Sequence, residues 1–311
     1  MISFIARRLF LETLPTLFFI ATITFFLIRL APGGPFSRDK KAPAEVLAKL
    51  EAHYGLDKPL IVQYRDYMLH VIRGDLGPSF KYPNRTVSEL IAASFPVSME
   101  LGLYAFVFAL CAGIILGCVG ALQRNRWPDH AAMSAAMAGI CIPSFVLGPL
   151  LVLVFGLRFR VFSVSGWQSP ADRILPAITL GAAFMAYIAR LTRGSMIEIL
   201  SQDFIRTARA KGAGTLRIVF VHAVRAGLGP VVSFAGPAMA GLITGSFVVE
   251  TIFQIPGLGR FFVMSSFNRD YTMITGTALF YATLIIFFNT MVDIVHVFLD
   301  PRLRGERYRK V

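Results

Sequence analysis

An all-α polytopic membrane protein with six transmembrane helices is the fold class this sequence predicts, on three observations. First, 55% of the 311 residues are apolar and only 16% are charged, with a mean hydropathy of +0.63. Soluble domains run at roughly 45–50% apolar and about 25% charged, so a water-soluble globule is excluded. Second, the apolar residues gather into six charge-poor runs, each near the roughly 20 residues an α-helix needs to cross a hydrocarbon core about 30 Å thick. Third, 31 Lys and Arg stand against 18 Asp and Glu, a formal +13, with a cationic excess in the connections. In a soluble chain that balance suggests nucleic acid. On an apolar chain it points to membrane lipid and cytoplasmic loops, with no nucleic-acid partner.

The first run covers about Leu9 to Ile28. Arg7-Arg8 precede it like an export signal, but no small-residue cleavage site follows Leu30, so the run reads as an uncleaved span. The others cover Leu101 to Leu122, Ala131 to Leu157, Ile174 to Ala189, Gly227 to Val249 and Tyr271 to Val292. The fourth is short and is expected to continue as helix past Arg190. Gly113 and Gly117 in the second, and Gly241 and Gly245 in the fifth, have the four-residue spacing that lets helix backbones approach closely. Cys111, Cys118 and Cys141 all fall inside apolar runs and read as small packing residues, not as a disulfide or metal framework.

Orientation follows from charge. The connection 190–226 carries Arg190, Arg193, Arg206, Arg209, Lys211, Arg217 and Arg225 against Glu198 and Asp203, and the tail 293–311 is also basic. Both are expected on the cytoplasmic side, which puts both termini inside. The organisation predicted is therefore a first helix within 1–30, an outer segment 31–98, a core 99–292 containing the loop 190–226, and a tail 293–311. The outer segment reads as a thin helical layer. Ala44 to Tyr54 ends at Gly55, Pro59 to Arg73 ends at Gly74, and Thr86-Val-Ser-Glu89 has capping-box spacing ahead of Leu90, Ile91 and Phe95. It is either a structural cap or a landing surface for an external partner.

Catalytic chemistry is not written in this chain. There is no phosphate-loop motif, Gly257-Leu-Gly259 lacks the third glycine of a dinucleotide fingerprint, and neither H-E-x-x-H nor G-x-S-x-G occurs. No cofactor or metal site is expected. His296, three residues after Asp293, reads as solvated at a helix end rather than as a proton relay. An ion-coupled carrier would place carboxylates near mid-membrane, and the second to sixth runs carry almost none there. A membrane enzyme would need a nucleophile and base within reach, and no such pair is visible.

Two features point instead to a moved conduit. Pro143 with Ser144, and Pro149, interrupt the third run, while Gly236-Pro237, Gly241, Gly245 and Ser246 interrupt the fifth. Such bends are either packing kinks or a pore wall, and the pore candidates are Pro143, Ser144, Gly241, Gly245, Ser246 and Glu250. The second feature is Ser201 to Gly212, a short amphipathic helix with a capping-type start and a glycine stop, followed by another helix from Thr215 to Ala226. Phe204, Thr207, Ala208 and Lys211 share one face, and the small residues there suit docking into a groove.

Thr207-Ala-Arg-Ala-Lys-Gly212, with His222-Ala223 and Pro230 beyond it, resembles the coupling-loop signature of bacterial ABC importer permeases. The oligopeptide/dipeptide permease family is matched more narrowly, by Arg29-Leu-Ala-Pro-Gly33, Gly74-Asp-Leu-Gly-Pro-Ser79, Glu250-Thr-Ile-Phe-Gln-Ile-Pro-Gly-Leu-Gly259, Asp270-Tyr271 and Asp300-Pro-Arg302. The long helical outer segment is like that of its B-type oligopeptide subunits. The resemblance implies the type I ABC importer permease fold in the bacterial inner membrane. It also implies a homologous second permease subunit, two ATPase subunits that hold ATP and Mg, and a periplasmic or lipid-anchored peptide-binding protein. Phe204, Thr207, Ala208, Ala210, Lys211 and Gly212 would then be the ATPase-coupling residues. The family's glutamate at the start of the motif is Thr207 here, so no acidic contact is implied at that position. Nickel, glutathione, dipeptide and oligopeptide systems share these motifs, and the substrate stays open among them.

Overall fold

The computed structural model describes residues 9–31, 33–36, 44–245 and 247–299; among them, an antiparallel bridge between Pro78 and Thr86 is isolated in otherwise helical and loop structure. Ser246, Arg7, Arg8 and the Asp300-Pro-Arg302 motif lie outside the described residues. The helices are α1 (Leu14–Leu30), α2 (Ala44–His53), α3 (Leu60–Ile72), α4 (Val87–Leu122), α5 (Trp127–Cys141), α6 (Ser144–Leu151), α7 (Ile174–Leu200), α8 (Asp203–Ala210), α9 (Thr215–Gly227), α10 (Gly229–Ile243), α11 (Phe247–Ile252), α12 (Leu258–Asn268) and α13 (Tyr271–Leu299). Four helical stretches are long and apolar enough to cross a bilayer: Phe10–Leu30, Val87–Leu122, Pro170–Leu200 and Tyr271–Met291. Two bent pairs raise the number to six when each is taken as one span.

The first bent pair corrects the predicted third run; the second, in which α9 and α10 meet at 61° around Leu228, lies at the start of the predicted fifth run, which also breaks further on. Ala131 to Leu157 is not one kinked helix: α5 and the stretch Ser144–Arg158 meet at 111°. Pro143 explains the break, because the residue before a proline is driven out of helical geometry, and Ile142 accordingly takes φ −93°, ψ 113°. Pro149 sits inside α6 without ending it. Gly227 to Val249 likewise divides: α10 stops at Ile243, Gly245 adopts φ +78°, and Val249 belongs to the separate α11. Pro237 stays inside α10. The fourth run continues as expected, α7 reaching Leu200. The helix predicted at Thr86 and the second span are one 36-residue helix passing through Pro96.

The chain divides into two compact units. One contains the described residues up to Pro96 together with Gly257–Ile286, and the other contains Val97–Pro256 and the residues from Phe287. In the first, α2 and α3 are stopped by Gly55 at φ +67° and Gly74 at φ +77°, the left-handed conformation that ends helices. Phe25 of α1 is fully buried, its ring stacked 5.3 Å from Tyr67, and Thr22 Oγ1 and Tyr64 Oη hydrogen-bond at 2.8 Å. The capping box is formed: the Glu89 N–H donates to Thr86 Oγ1 and the Thr86 N–H to Glu89 Oε2, each at 3.2 Å. Asp270, 1% exposed, starts α13 by accepting from the Met273 N–H at 3.1 Å and also accepts from Ser79 Oγ at 2.5 Å. Val87, Leu90, Ile91, Leu258 and Met273 form the core of this unit.

The second unit is assembled on small residues. A Cβ on Gly117 would lie 2.6 Å from the Ala189 carbonyl, one on Gly113 2.9 Å from that of Met185, and one on Gly139 2.3 Å from that of Ala182. Both α4 and α5 therefore touch α7 backbone to backbone, as membrane helices without a hydrophobic drive between them require. Asp129, 1% exposed, receives both Nε and Nη2 of Arg193 at 2.7 Å, a two-pronged ion pair joining α5 to α7. Phe18, Phe19 and Leu27 on α1, and Val107 and Ile115 on α4, are exposed apolar side chains on spans of membrane-crossing length.

Candidate functional site

The cationic loop after α7 is built to hold one short helix outward. Ser201 does not cap α8; its Oγ donates back to the Glu198 carbonyl at 2.6 Å, closing α7. The capping-type start read from the sequence is therefore corrected: the residue before α8 is Gln202, in extended geometry and without a side-chain cap. At the other end the predicted glycine stop is in place. Gly212 has φ +79°, its N–H donates to the Arg209 carbonyl at 2.9 Å, and the Ala213 N–H donates to that of Ala208 at 3.1 Å. These two bonds form a Schellman motif, which only a residue comfortable at positive φ completes without strain.

Ile205 anchors the helix. It is fully buried with Met196, Ile218, Val219 and Ala223, and Ala208 and Ala213 pack against that cluster. Phe204 is 46% exposed, and Thr207, Ala210, Lys211 and Gly212 are exposed as well. The face shared by Phe204, Thr207 and Lys211 is thus free, whereas Ala208 lies at its inner edge. Sequence reasoning passed over Ile205, although it is the lone large aliphatic among the helix's charged and small neighbours. Arg206 and Asp203 lie 3.5 Å apart, an exposed pair of little energetic weight. Arg193, counted in the sequence only as cytoplasmic charge, is committed to Asp129 instead.

Of the other predicted residues that are described, Pro143, Ser144, Gly245 and Glu250 lie at or beside helix breaks of the same unit, and Gly241 does not. Pro143 and Ser144 mark the turn between α5 and α6. Gly241 lies within α10, where an added Cβ would come 3.3 Å from the Phe184 ring. Gly245 and Glu250 are brought together: a Cβ on Gly245 would fall 2.7 Å from Glu250 Oε1. Glu250 is fully buried and accepts from Ser98 Oγ at 2.8 Å. Ser98, 152 positions away in sequence, is a partner that no local pattern announces. In addition, α11 packs on both α6 and α7, so these breaks share neighbours. A bent helix frees backbone carbonyls that only a polar cavity or protein groups can satisfy in a bilayer. No group of three or more His, Cys, Asp or Glu residues suited to a metal occurs among the described residues.

Residues 109–305 match the family described as "Binding-protein-dependent transport system inner membrane component", and residues 1–102 match its N-terminal membrane-component family. The oligopeptide transport system permease protein OppB of Salmonella typhimurium is 48% identical over 307 residues, covering 98% of this chain and 100% of that protein. The dipeptide transport system permease protein DppB of Bacillus subtilis is 45% identical over 289 residues, covering 93% and 94%. Among solved structures, an inward-facing form of the MetNI methionine ABC transporter shares the fold, with a TM-score of 0.57 at 16% identity over 68% of this chain and 96% of that one. With both family matches and full-length relatives in agreement with its helices, the chain belongs to the inner membrane components of binding-protein-dependent transport systems.

Proposed function

We propose that this chain is the permease subunit of an oligopeptide importer in the bacterial inner membrane, forming half of the translocation path. A homologous second permease would supply the other half, two ATPase subunits would hold ATP and Mg and perform the hydrolysis, and an external peptide-binding protein would deliver the substrate. The full-length similarity to an oligopeptide permease supports the substrate class. The observation that carries the coupling role is α8 itself, fixed from beneath by Ile205 while Phe204, Thr207 and Lys211 stand exposed. A partner ATPase that grips this face moves α8 as a rigid piece. The motion passes through α7 and α9 to the breaks at Pro143 and Gly245, where bent helices have room to swing. Glu250, held by Ser98, sits at one of those breaks. In this reading the loop is cytoplasmic and the segment before α4 is external.

The lever depends on Gly212 keeping its left-handed turn. An added Cβ there meets nothing within 4 Å, so Gly212→Val acts through backbone strain alone. A left-handed conformation costs a non-glycine residue roughly 1–2 kcal/mol. In vesicles holding the full complex, this variant should insert normally yet lose most binding-protein-stimulated peptide uptake. Full uptake with unchanged ATPase stimulation would overturn the lever.

A further inference from the structure

The first unit contains a cavity of about 330 Å³ that the coupling role does not use, within the size range of small-molecule sites. Its walls come from α1, the turn after α2, α3 and the start of α13. Arg29, in the last turn of α1, lines it half-buried, with its guanidinium carbon 3.5 Å from the centre of the Phe25 ring and 5.6 Å from that of Tyr271. Nε donates to Gln63 Oε1 at 3.1 Å and Nη1 to the Phe25 carbonyl at 3.3 Å. Gln63 is itself fixed, its Nε2 donating to the carbonyls of Leu56 at 3.0 Å and Lys58 at 2.8 Å. The guanidinium is thereby held in one orientation with N–H donors to spare.

No carboxylate among the described residues pairs with Arg29; Asp66, on the same cavity, is taken by Lys58 at 3.4 Å and Arg65 at 3.0 Å. A cation withdrawn from water without a counter-charge is costly, and an anion of matching shape removes that cost. Tyr67 adds a second donor. It lines the cavity; its hydroxyl is buried beside Thr275 with no well-formed hydrogen bond, and burial pushes it up to about 12, so it keeps its proton at neutral pH. The rings of Tyr54 and Phe80, 4.7 Å apart, provide an apolar wall.

We propose that this cavity binds a small carboxylate with an apolar or aromatic body, the carboxylate taken by Arg29 and the Tyr67 hydroxyl and the body covered by Tyr54 and Phe80. One unpaired cation with a planar fork suits a carboxylate monoanion better than a phosphate dianion, which would need a second free cation. The site concerns the first unit alone and stands whether or not the chain transports peptides.

The test is calorimetric titration of the full-length chain in phosphatidylcholine nanodiscs with N-acetylphenylalanine and, separately, its uncharged primary amide. The acid should bind roughly tenfold or more tightly than the amide, the scale of a charge-assisted pair. Arg29→Gln should erase that preference, and Tyr54→Ala should weaken both ligands. Should Arg29→Gln fail to fold, Tyr67→Phe removes only a hydroxyl and should weaken the acid by roughly threefold or more. No saturable binding, equal binding of acid and amide, or a preference untouched by these variants would overturn the proposal. Discs containing phosphatidylserine distinguish the source: displacement of the acid assigns a lipid carboxylate to the site, and undisturbed binding assigns a free one.

Discussion

Ile205 and Phe204 are neighbours in sequence with opposite tasks, since one is fully buried under α8 and the other stands 46% exposed on it. Truncating Ile205 to Ala removes the anchor and should cost about 2–4 kcal/mol in holding α8 down. The helix carries Arg206 and Arg209, with Lys211 just after it, so trypsin reports the loosening directly. Cleavage in this stretch should accelerate roughly 30-fold or more in Ile205→Ala and stay unchanged in Phe204→Ala. Equal sensitivity of the two variants would contradict this division of labour. Asp75, at the foot of α3, gives a pH prediction. The Gly77 N–H donates to its Oδ1 at 2.9 Å and holds the carboxyl below the usual range, with the hydrogen bond to His70 adding to this. A carboxylate with a depressed folded pKa stabilises above its unfolded value near 3.9 and loses that contribution as pH falls through the folded one. Amide protection around Gly77, taken relative to the intrinsic exchange rate at each pH, should therefore fall on acidification below about pH 4, and Asp75→Asn should flatten that dependence.

Among the elements, the seam of α4 against α7 is fixed by the absence of side chains. A Cβ on Gly117 would stand 2.5 Å from Thr192 Cβ, whereas one on Gly194, in the same α7, meets nothing within 4 Å. Gly117→Ala should therefore lower the melting temperature of the purified chain by several degrees, while Gly194→Ala should hold or raise it, alanine being better in helices by roughly 1 kcal/mol. Comparable losses in both variants would show that the seam is not where these helices lock. The helix breaks at Pro143 and Gly245 belong to this scale too. Proline removes a backbone donor and bends its predecessor, and a left-handed glycine reverses the chain direction locally. Pro96, Pro149 and Pro237 lie within helices that continue, so proline by itself did not mark the breaks.

For the whole molecule the decisive quantity is orientation, because the proposed lever works only if α8 meets an ATPase on the cytoplasmic side. The proposal places Lys49 of α2 outside and Arg209 of α8 inside. With Cys111, Cys118 and Cys141 replaced by alanine, Lys49→Cys should react with a membrane-impermeant maleimide in intact cells, and Arg209→Cys only after permeabilisation. The reverse pattern would remove the coupling role altogether. Neither variant touches a buried residue or an ion pair of the described structure, so loss of folding should not confuse the result.

Much was legible beforehand because bilayer physics writes itself into composition. Run lengths, charge asymmetry and glycine stops determined the helical membrane class, the continuation of α7, the end of α8 and the cap of α4, each of which follows from local backbone needs. That Phe204, Thr207 and Lys211 share one face of α8, which the structure leaves exposed, was legible for the same reason, through their helical spacing. Only the tertiary structure decided which prolines break helices, that Ile205 anchors α8, that Ser98 holds Glu250, and that Arg193 is spent on Asp129. Each of these depends on residues remote in sequence or on whether a neighbour satisfies a freed backbone or side-chain group, and sequence spacing carries no record of distance across a packed helix seam.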